Sequence, residues 1–391
     1  MCGERAKGKI IVFGIMFFYP LAGVTFQFLH YLLGLRRLGY DVYYVEDSQR
    51  RVYDPTVGDL TEDARRNVEV IGTILNRFGF RDRWAYRSHY EARECFGLGA
   101  AQLAQLYREA DAFLNVTGAQ EIREEHMACP RRIYVESDPF ASQVRISQGD
   151  QDRIDLIAAH DTHFSFGENL GASDCDTPIE RFRWMPTRQP VAMDLWEGNG
   201  SADDAAFTTV TTWSNANNDV EYRGQRYYWT KDREFERLID LPQRRATPFE
   251  LAVKAGPTVC ARLREYGWRV ADAAAVSQTV DGYRAYVMGS RGEFTVARDQ
   301  YVRPRTGWFS DRSACYLASG RPVITQDTGF GKYLPTGEGL FAFKDMDDVL
   351  AAVDAIESDY EGQCRAARQI AMEYFEAEKV LGSLMQRAGL A

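Results

Sequence analysis

The residues best suited to hold an anion are Ser310, Asp311, Arg312 and Ser313. They stand where a helix predicted over Phe309–Ser319 begins, and a helix N-terminus carries unpaired N–H groups and partial positive charge. Arginine binds phosphate oxygens in bidentate fashion, so the grouping suits a diphosphate and would stabilise a departing nucleotide as charge builds on it. The plainer alternative is a Ser310 cap with a surface Asp–Arg pair. Thr212, Ser214 and Asn215, in the stretch TTWSN, follow a strand predicted over Phe207–Trp213. Ligands bind at such carboxyl ends in open α/β sheets; an Asn-rich turn is the alternative. Ser290, Arg291 and Glu293, in SRGE, offer a phosphate-binding cation and a carboxylate for ribose or sugar hydroxyls, or simply a loop turning at Gly292. The stretch EYRGQRYYW (Glu221–Trp229) combines four Tyr/Trp rings with Arg223 and Arg226, which fits either a stacking platform or a hairpin.

Group transfer to a hydroxyl by inversion calls for a base, and carboxylates or histidines at strand ends are eligible. Asp138 follows the predicted strand RIYVE, with Pro139 fixing the turn, and His160 precedes the predicted strand HFSFG. These two are the preferred catalytic residues. Glu46, Asp47, Asp161, Glu168 and Thr117–Gln120 hold comparable positions.

The elements that must position these residues alternate in type. Lys9–Phe18 is a nearly continuous apolar run, as a strand covered on both faces should be. Thr25–Leu38 has helical spacing and is closed by Gly39; Tyr40–Glu46 reads as a second strand. Helices are expected over Leu60–Phe78 and Gly99–Ala110, and strands over Ala112–Val116, Arg132–Glu136 and His163–Gly167. The Gly-, Ser- and Asp-rich stretch Glu197–Ala205 reads as a linker, after which a second α/β pattern begins. Gly362–Leu390 reads as a long helical stretch. The expectation is an α/β chain of two consecutive Rossmann-like domains, residues 1–200 and residues 206–365, with a terminal helix over 366–391.

With 391 residues, 45% hydrophobic and 26% charged, the chain suits two folded domains rather than one core or a disordered state. Net charge is −9 and the basic residues are scattered, so a nucleic-acid partner is not expected. The seven cysteines contain no C-x-x-C pair, which argues against a disulfide framework and a zinc site; no metal is expected. Ile10–Val24, behind Arg5, Lys7 and Lys9, has the look of a signal peptide. Gly14, Pro20 and Gly23 interrupt it and it is too short to span a bilayer, so the expectation is a cytoplasmic protein without stable membrane insertion. Neither a G-x-G-x-x-G fingerprint nor a Walker loop occurs, which disfavours a nicotinamide dehydrogenase.

The segment TGWFSDRSACYLASGRPVITQ (Thr306–Gln326), followed by Asp327–Gly331 and GLFAF, resembles the donor half of GT-B glycosyltransferases. The first βαβ unit, with its loop Pro20–Gly23 and L-x-x-x-G-Y-D-V-Y-Y-V, is similar to theirs as well. The resemblance implies that the two domains face across a cleft, residues 1–200 binding the acceptor and residues 206–365 the nucleotide sugar, with the terminal helix packing back on the first domain. It implies a metal-independent transferase with no bound cofactor, using a nucleotide-diphosphate sugar as co-substrate and a small-molecule acceptor. Many retaining members carry two Glu residues eight apart in this helix; here those positions hold Gly307 and Cys315. Donor recognition is therefore built differently, and stereochemistry is not legible. The alternatives are a sugar-nucleotide epimerase of the same architecture and a non-catalytic two-domain binding protein. Oligomeric state is left open.

Overall fold

A computed structural model describes residues 6–47, 50–88, 95–198, 205–215 and 218–390. The first sheet has eight strands, in the order Trp184–Pro186, Thr162–Ser165, Arg132–Glu136, Ala112–Val116, Lys9–Phe13, Asp41–Glu46, Trp84–Arg87, Cys95–Gly97. All neighbours are parallel except the last pair. From Lys9–Phe13 the chain first builds outward through Asp41–Glu46 and later returns to the other side through Ala112–Val116. That reversal opens a crevice at the strands' carboxyl ends. Of the apolar run Lys9–Phe18, the strand takes Lys9–Phe13, in which Ile10, Ile11, Val12 and Phe13 are fully buried, and the remainder forms the loop that follows it.

The second sheet has six parallel strands, in the order Arg269–Asp272, Phe249–Lys254, Phe207–Thr212, Gly292–Thr295, Val323–Gln326, Leu340–Phe343. Its reversal lies between Phe207–Thr212 and Gly292–Thr295. Each sheet has its own core, and a third apolar cluster joins the halves: Phe26 and Leu29 meet Trp196, Tyr283, Val287, Phe309 and Cys315. Polar ties cross the same boundary. Ala22 N donates to Ser277 O at 2.9 Å, and Trp308 Nε1 to Ser137 O at 2.9 Å. Gly307 (φ +76°) lies so near the opposite domain that a Cβ would sit 2.6 Å from Asn169 N. Any larger residue would push the halves apart.

Two expectations are corrected. The stretch read as one helix from Leu60 is a hairpin, Val52–Asp54 with Asp59–Thr61, followed by the helix Arg65–Arg77. Gly58 at φ +76° and the Asp54 side chain, which accepts from Thr56 N at 2.8 Å, make the turn. The terminal stretch is two helices, Tyr360–Tyr374 and Ala377–Arg387. Between them Val191 N donates to Phe375 O at 2.7 Å and Ala377 N to Val191 O at 2.9 Å. The first helix packs on Asp311–Ala318 in the second domain, the other on Ala22–Arg37 in the first. The linker expected over Glu197–Ala205 lies mostly outside the described residues, at 199–204. Among the described residues no helix is long and apolar enough to cross a membrane.

Candidate functional site

A cleft of about 760 Å³ opens between the domains at the reversal point of the second sheet. The second domain supplies the polar wall: Thr211 and Thr212 at the end of one strand with Ser214 and Asn215 just beyond it, Lys254 at the end of Phe249–Lys254, and Arg298 after Gly292–Thr295. Trp229, Thr230, Lys231 and Arg312 complete it, with Ala273, Ala274 and Ser277 at one end. The first domain contributes Tyr19, Leu21 and Tyr53.

Arg312 is fixed at the reversal itself. Its Nε donates to Glu293 Oε1 at 2.5 Å, Nη1 to Val210 O at 2.7 Å and Nη2 to Thr295 Oγ1 at 2.9 Å. One guanidinium thus bridges the two strands that flank the crevice. Glu293 is fully buried, and its partner is 13% exposed. Burial opposes the Arg312 charge, but Glu293 more than offsets this and its pKa is raised.

Arg298 is held from three sides. Its guanidinium lies 3.5 Å from the centroid of the Trp229 ring, and Nη1 donates to Asp138 Oδ1 at 2.7 Å and to Tyr301 OH at 2.5 Å. Lys231 is different: no carboxylate pairs with it among the described residues. Burial lowers its pKa well below the ordinary lysine value, and the charges of Arg312 and Arg298 lower it further. With Lys254, four basic side chains therefore line one space, and burial and two neighbouring arginines oppose the charge of Lys231.

The sequence-derived residues divide into three groups. Thr212, Ser214, Asn215 and Arg312 line the cleft. Ser310 and Ser313 are buried beside it, and Ser313 Oγ has no hydrogen-bond partner among the described residues. Asp311 lines a small adjoining cavity with His30, Gln189 and Cys315. Burial raises the Asp311 pKa, while Arg312 and the helix's first N–H groups, including its own, lower it. Asp311 itself thus occupies the helix N-terminus, and the guanidinium is what reaches the cleft. Glu293 touches the site only through Arg312.

The rest stand elsewhere. Ser290 Oγ bonds Thr208 Oγ1 at 2.6 Å and donates to Tyr286 O at 2.8 Å inside the domain. Arg291 pairs with Glu357 at 2.5 Å and lies over the Tyr360 ring; it precedes its strand, at the end away from the crevice. His160 is buried among Phe113, Tyr134 and Asn115 and does not line the cleft. Desolvation pushes its pKa down to about 4. Asp138 does not line the cleft either and meets it only as the partner of Arg298; its Oδ1 also accepts from Tyr301 OH, and its Oδ2 meets Ser137 Oγ at 3.0 Å. Of the aromatic stretch, most forms the hairpin Val220–Tyr222 with Gln225–Tyr227, and Trp229 reaches the cleft.

Sequence reasoning missed Lys231, Lys254, Arg298, Tyr19 and Tyr53. Lys254 and Arg298 obey the rule that found Thr212, since both stand at or just beyond a strand's carboxyl end. The tyrosines carry no comparable signal. A separate group, Asp47, Glu125 and His126, gathers ligand-type atoms within 4.8 Å of one another. Arg87 and Arg123 already neutralise it through close ion pairs with both carboxylates.

No family model matches the chain, and no curated protein does. Solved structures resemble it throughout. An α-glucosyltransferase in complex with UDP and a 13-mer DNA containing a HMU base has a TM-score of 0.58 at 10% identity, covering 98% of this chain and 100% of that one. A glycosyltransferase from Rickettsia africae gives 0.54 at 9% identity, covering 98% of each chain. Sucrose-phosphate synthase from Thermosynechococcus elongatus gives 0.53 at 12% identity, covering 98% of this chain and 99% of that one. Likeness at such low identity is likeness of fold.

Proposed function

We propose that this chain, which has the two-domain GT-B glycosyltransferase fold, moves a sugar from a nucleoside-diphosphate donor to a small-molecule acceptor. The observation that carries this is the position of Lys231 beside Arg298 and Arg312 in a cleft at the sheet's reversal point, without a carboxylate partner among the described residues and with its charge opposed by burial first and by the two arginines second. A diphosphate would supply the missing counter-charge. One neighbour of the same fold was solved with UDP, which makes a uridine donor the first to test.

In this reading Lys231, Lys254, Arg298 and Arg312 neutralise the diphosphate without a divalent metal, and Thr212, Ser214 and Asn215 bond its oxygens or the sugar. The acceptor hydroxyl oxygen forms a bond to the anomeric carbon as that carbon's bond to the phosphate oxygen breaks. The electron pair leaves with the nucleoside diphosphate, and the hydroxyl proton passes to the diphosphate. We assign Asp138 to positioning Arg298, because its carboxylate already accepts from Arg298 and Tyr301.

The test is release of nucleoside diphosphate from UDP-glucose, GDP-mannose, ADP-glucose and dTDP-glucose, each with a panel of hydroxyl acceptors and EDTA present. Release from one donor that depends on acceptor and is lost in Lys231→Met supports the reading. Release without any acceptor, or from none of the four, contradicts it.

A further inference from the structure

The two walls of the cleft differ in kind. All the cations and amide- or hydroxyl-bearing turn residues come from the second domain, whereas the first supplies Tyr19, Leu21 and Tyr53. The two tyrosine rings lie 5.3 Å apart at 33°. Tyr53 belongs to the hairpin inserted after the second strand, and Tyr19 to the loop after the first.

Buried polar groups hold that loop and hairpin in register. Asn67 is 1% exposed, and its Nδ2 donates to Phe17 O at 2.7 Å and to Tyr53 O at 2.9 Å. Glu46 accepts from Phe17 N at 2.6 Å and Phe18 N at 3.0 Å, and Tyr53 N donates to Phe18 O at 2.8 Å. Phe18 then meets the edge of Tyr19, with centroids 4.5 Å apart and planes at 87°. Across the cleft mouth Lys254 Nζ lies 5.3 Å from the Tyr53 ring centroid. Two partly exposed rings are thus fixed before any ligand arrives, opposite the wall that binds anions.

Building on the proposed transferase reading, we propose that Tyr19 and Tyr53 form the acceptor subsite and take the flat face of a ring. Stacking sets the ring against the tyrosines and turns its hydroxyl toward Arg312 and Lys231, where the donor's anomeric carbon would lie. Both aromatic rings and the C–H face of a pyranose satisfy this recognition, because each packs on a π surface. An open-chain polyol does not.

The experiment is saturation-transfer NMR with 4-nitrophenol, methyl β-glucopyranoside and sorbitol, each with and without UDP. Wild type is expected to saturate the ring protons of at least one ring probe, and which one responds identifies the source. Tyr19→Ala and Tyr53→Ala each weaken that binding by about two- to tenfold, the worth of one aromatic contact, while Tyr19→Phe and Tyr53→Phe retain it. Far-UV circular dichroism and a cooperative urea transition show that the variants are folded. Saturation of sorbitol equal to that of the rings overturns the proposal. So does no ring saturation on wild type, or an undiminished signal in both alanine variants. Failure of wild type to bind any nucleoside diphosphate strikes the donor reading instead, since ring binding is also read without nucleotide.

Discussion

Arg312 and Glu293 form a 2.5 Å ion pair that locks the two central strands of the second sheet together where they diverge. Glu293 is wholly buried, so deleting its partner strands a carboxylate in the core. Arg312→Ala is expected to cost about 3–5 kcal/mol, the usual penalty for breaking a buried pair, as read by urea denaturation. Arg312→Lys keeps the charge but cannot span Glu293, Val210 O and Thr295 together, and should cost less. The double change Arg312→Met with Glu293→Gln should recover most of the stability and none of the nucleotide binding. Unchanged stability in Arg312→Ala would mean the pair is dispensable.

Lys231 is expected to show the opposite trade. Replacing it with Met removes an amine whose charge is opposed by burial and by Arg312 and Arg298, so the ligand-free protein should gain about 1 kcal/mol in denaturation midpoint analysis. Diphosphate affinity should fall at least about tenfold, the worth of one charge-assisted contact. A variant that binds as well as wild type would remove Lys231 from the site.

Glu136, buried at the end of Arg132–Glu136, sets a pH dependence. Desolvation, with a further push from the Asp138 charge, moves its pKa from 4.5 up to about 7. The folded state therefore holds this proton more tightly than the unfolded chain does. Its contribution to stability is present below about pH 4.5 and is lost as pH rises through about 7. At 1.36 kcal/mol per pKa unit the total is on the order of 3 kcal/mol. Glu136→Gln should flatten the stability profile in that window relative to wild type; parallel profiles would refute the assignment.

Gly34 marks where the last helix docks on the first domain. A Cβ there would lie 2.6 Å from Leu381 Cδ1 and 2.8 Å from Ala377 Cβ. Helix propensity alone favours alanine by about 1 kcal/mol, but overpacking costs about 1–3 kcal/mol. Gly34→Ala should thus destabilise, and adding Leu381→Ala should recover less than a lone cavity mutation loses. A more stable Gly34→Ala protein would show that this contact yields.

Much of the fold is legible because doubly covered parallel strands are written as apolar runs. Ala112–Val116 and Arg132–Glu136 can be read off directly, and the two Rossmann-like halves follow from their alternation with helices. The hairpin Val52–Asp54 with Asp59–Thr61 is not legible, since its stability comes from Asn67 and the loop beneath it rather than from its own pattern. The site is legible by halves. Thr212, Ser214, Asn215 and Arg312 follow from strand ends and a helix start. Ser290 and Arg291 mislead because a strand's amino and carboxyl ends look alike in sequence while only one faces the crevice. Tyr19 and Tyr53 reach the cleft through tertiary contacts more than thirty residues apart, which no local pattern encodes.

The most direct measurement is calorimetric titration of wild type with UDP, TDP, GDP and ADP in EDTA. The account expects one of them to bind, with affinity lost in Lys231→Met. It also expects a protein stabilised by about 2.7 kcal/mol at a hundred times the dissociation constant. Four diphosphates that give no heat and no shift, or equal binding by wild type and Lys231→Met, would contradict it.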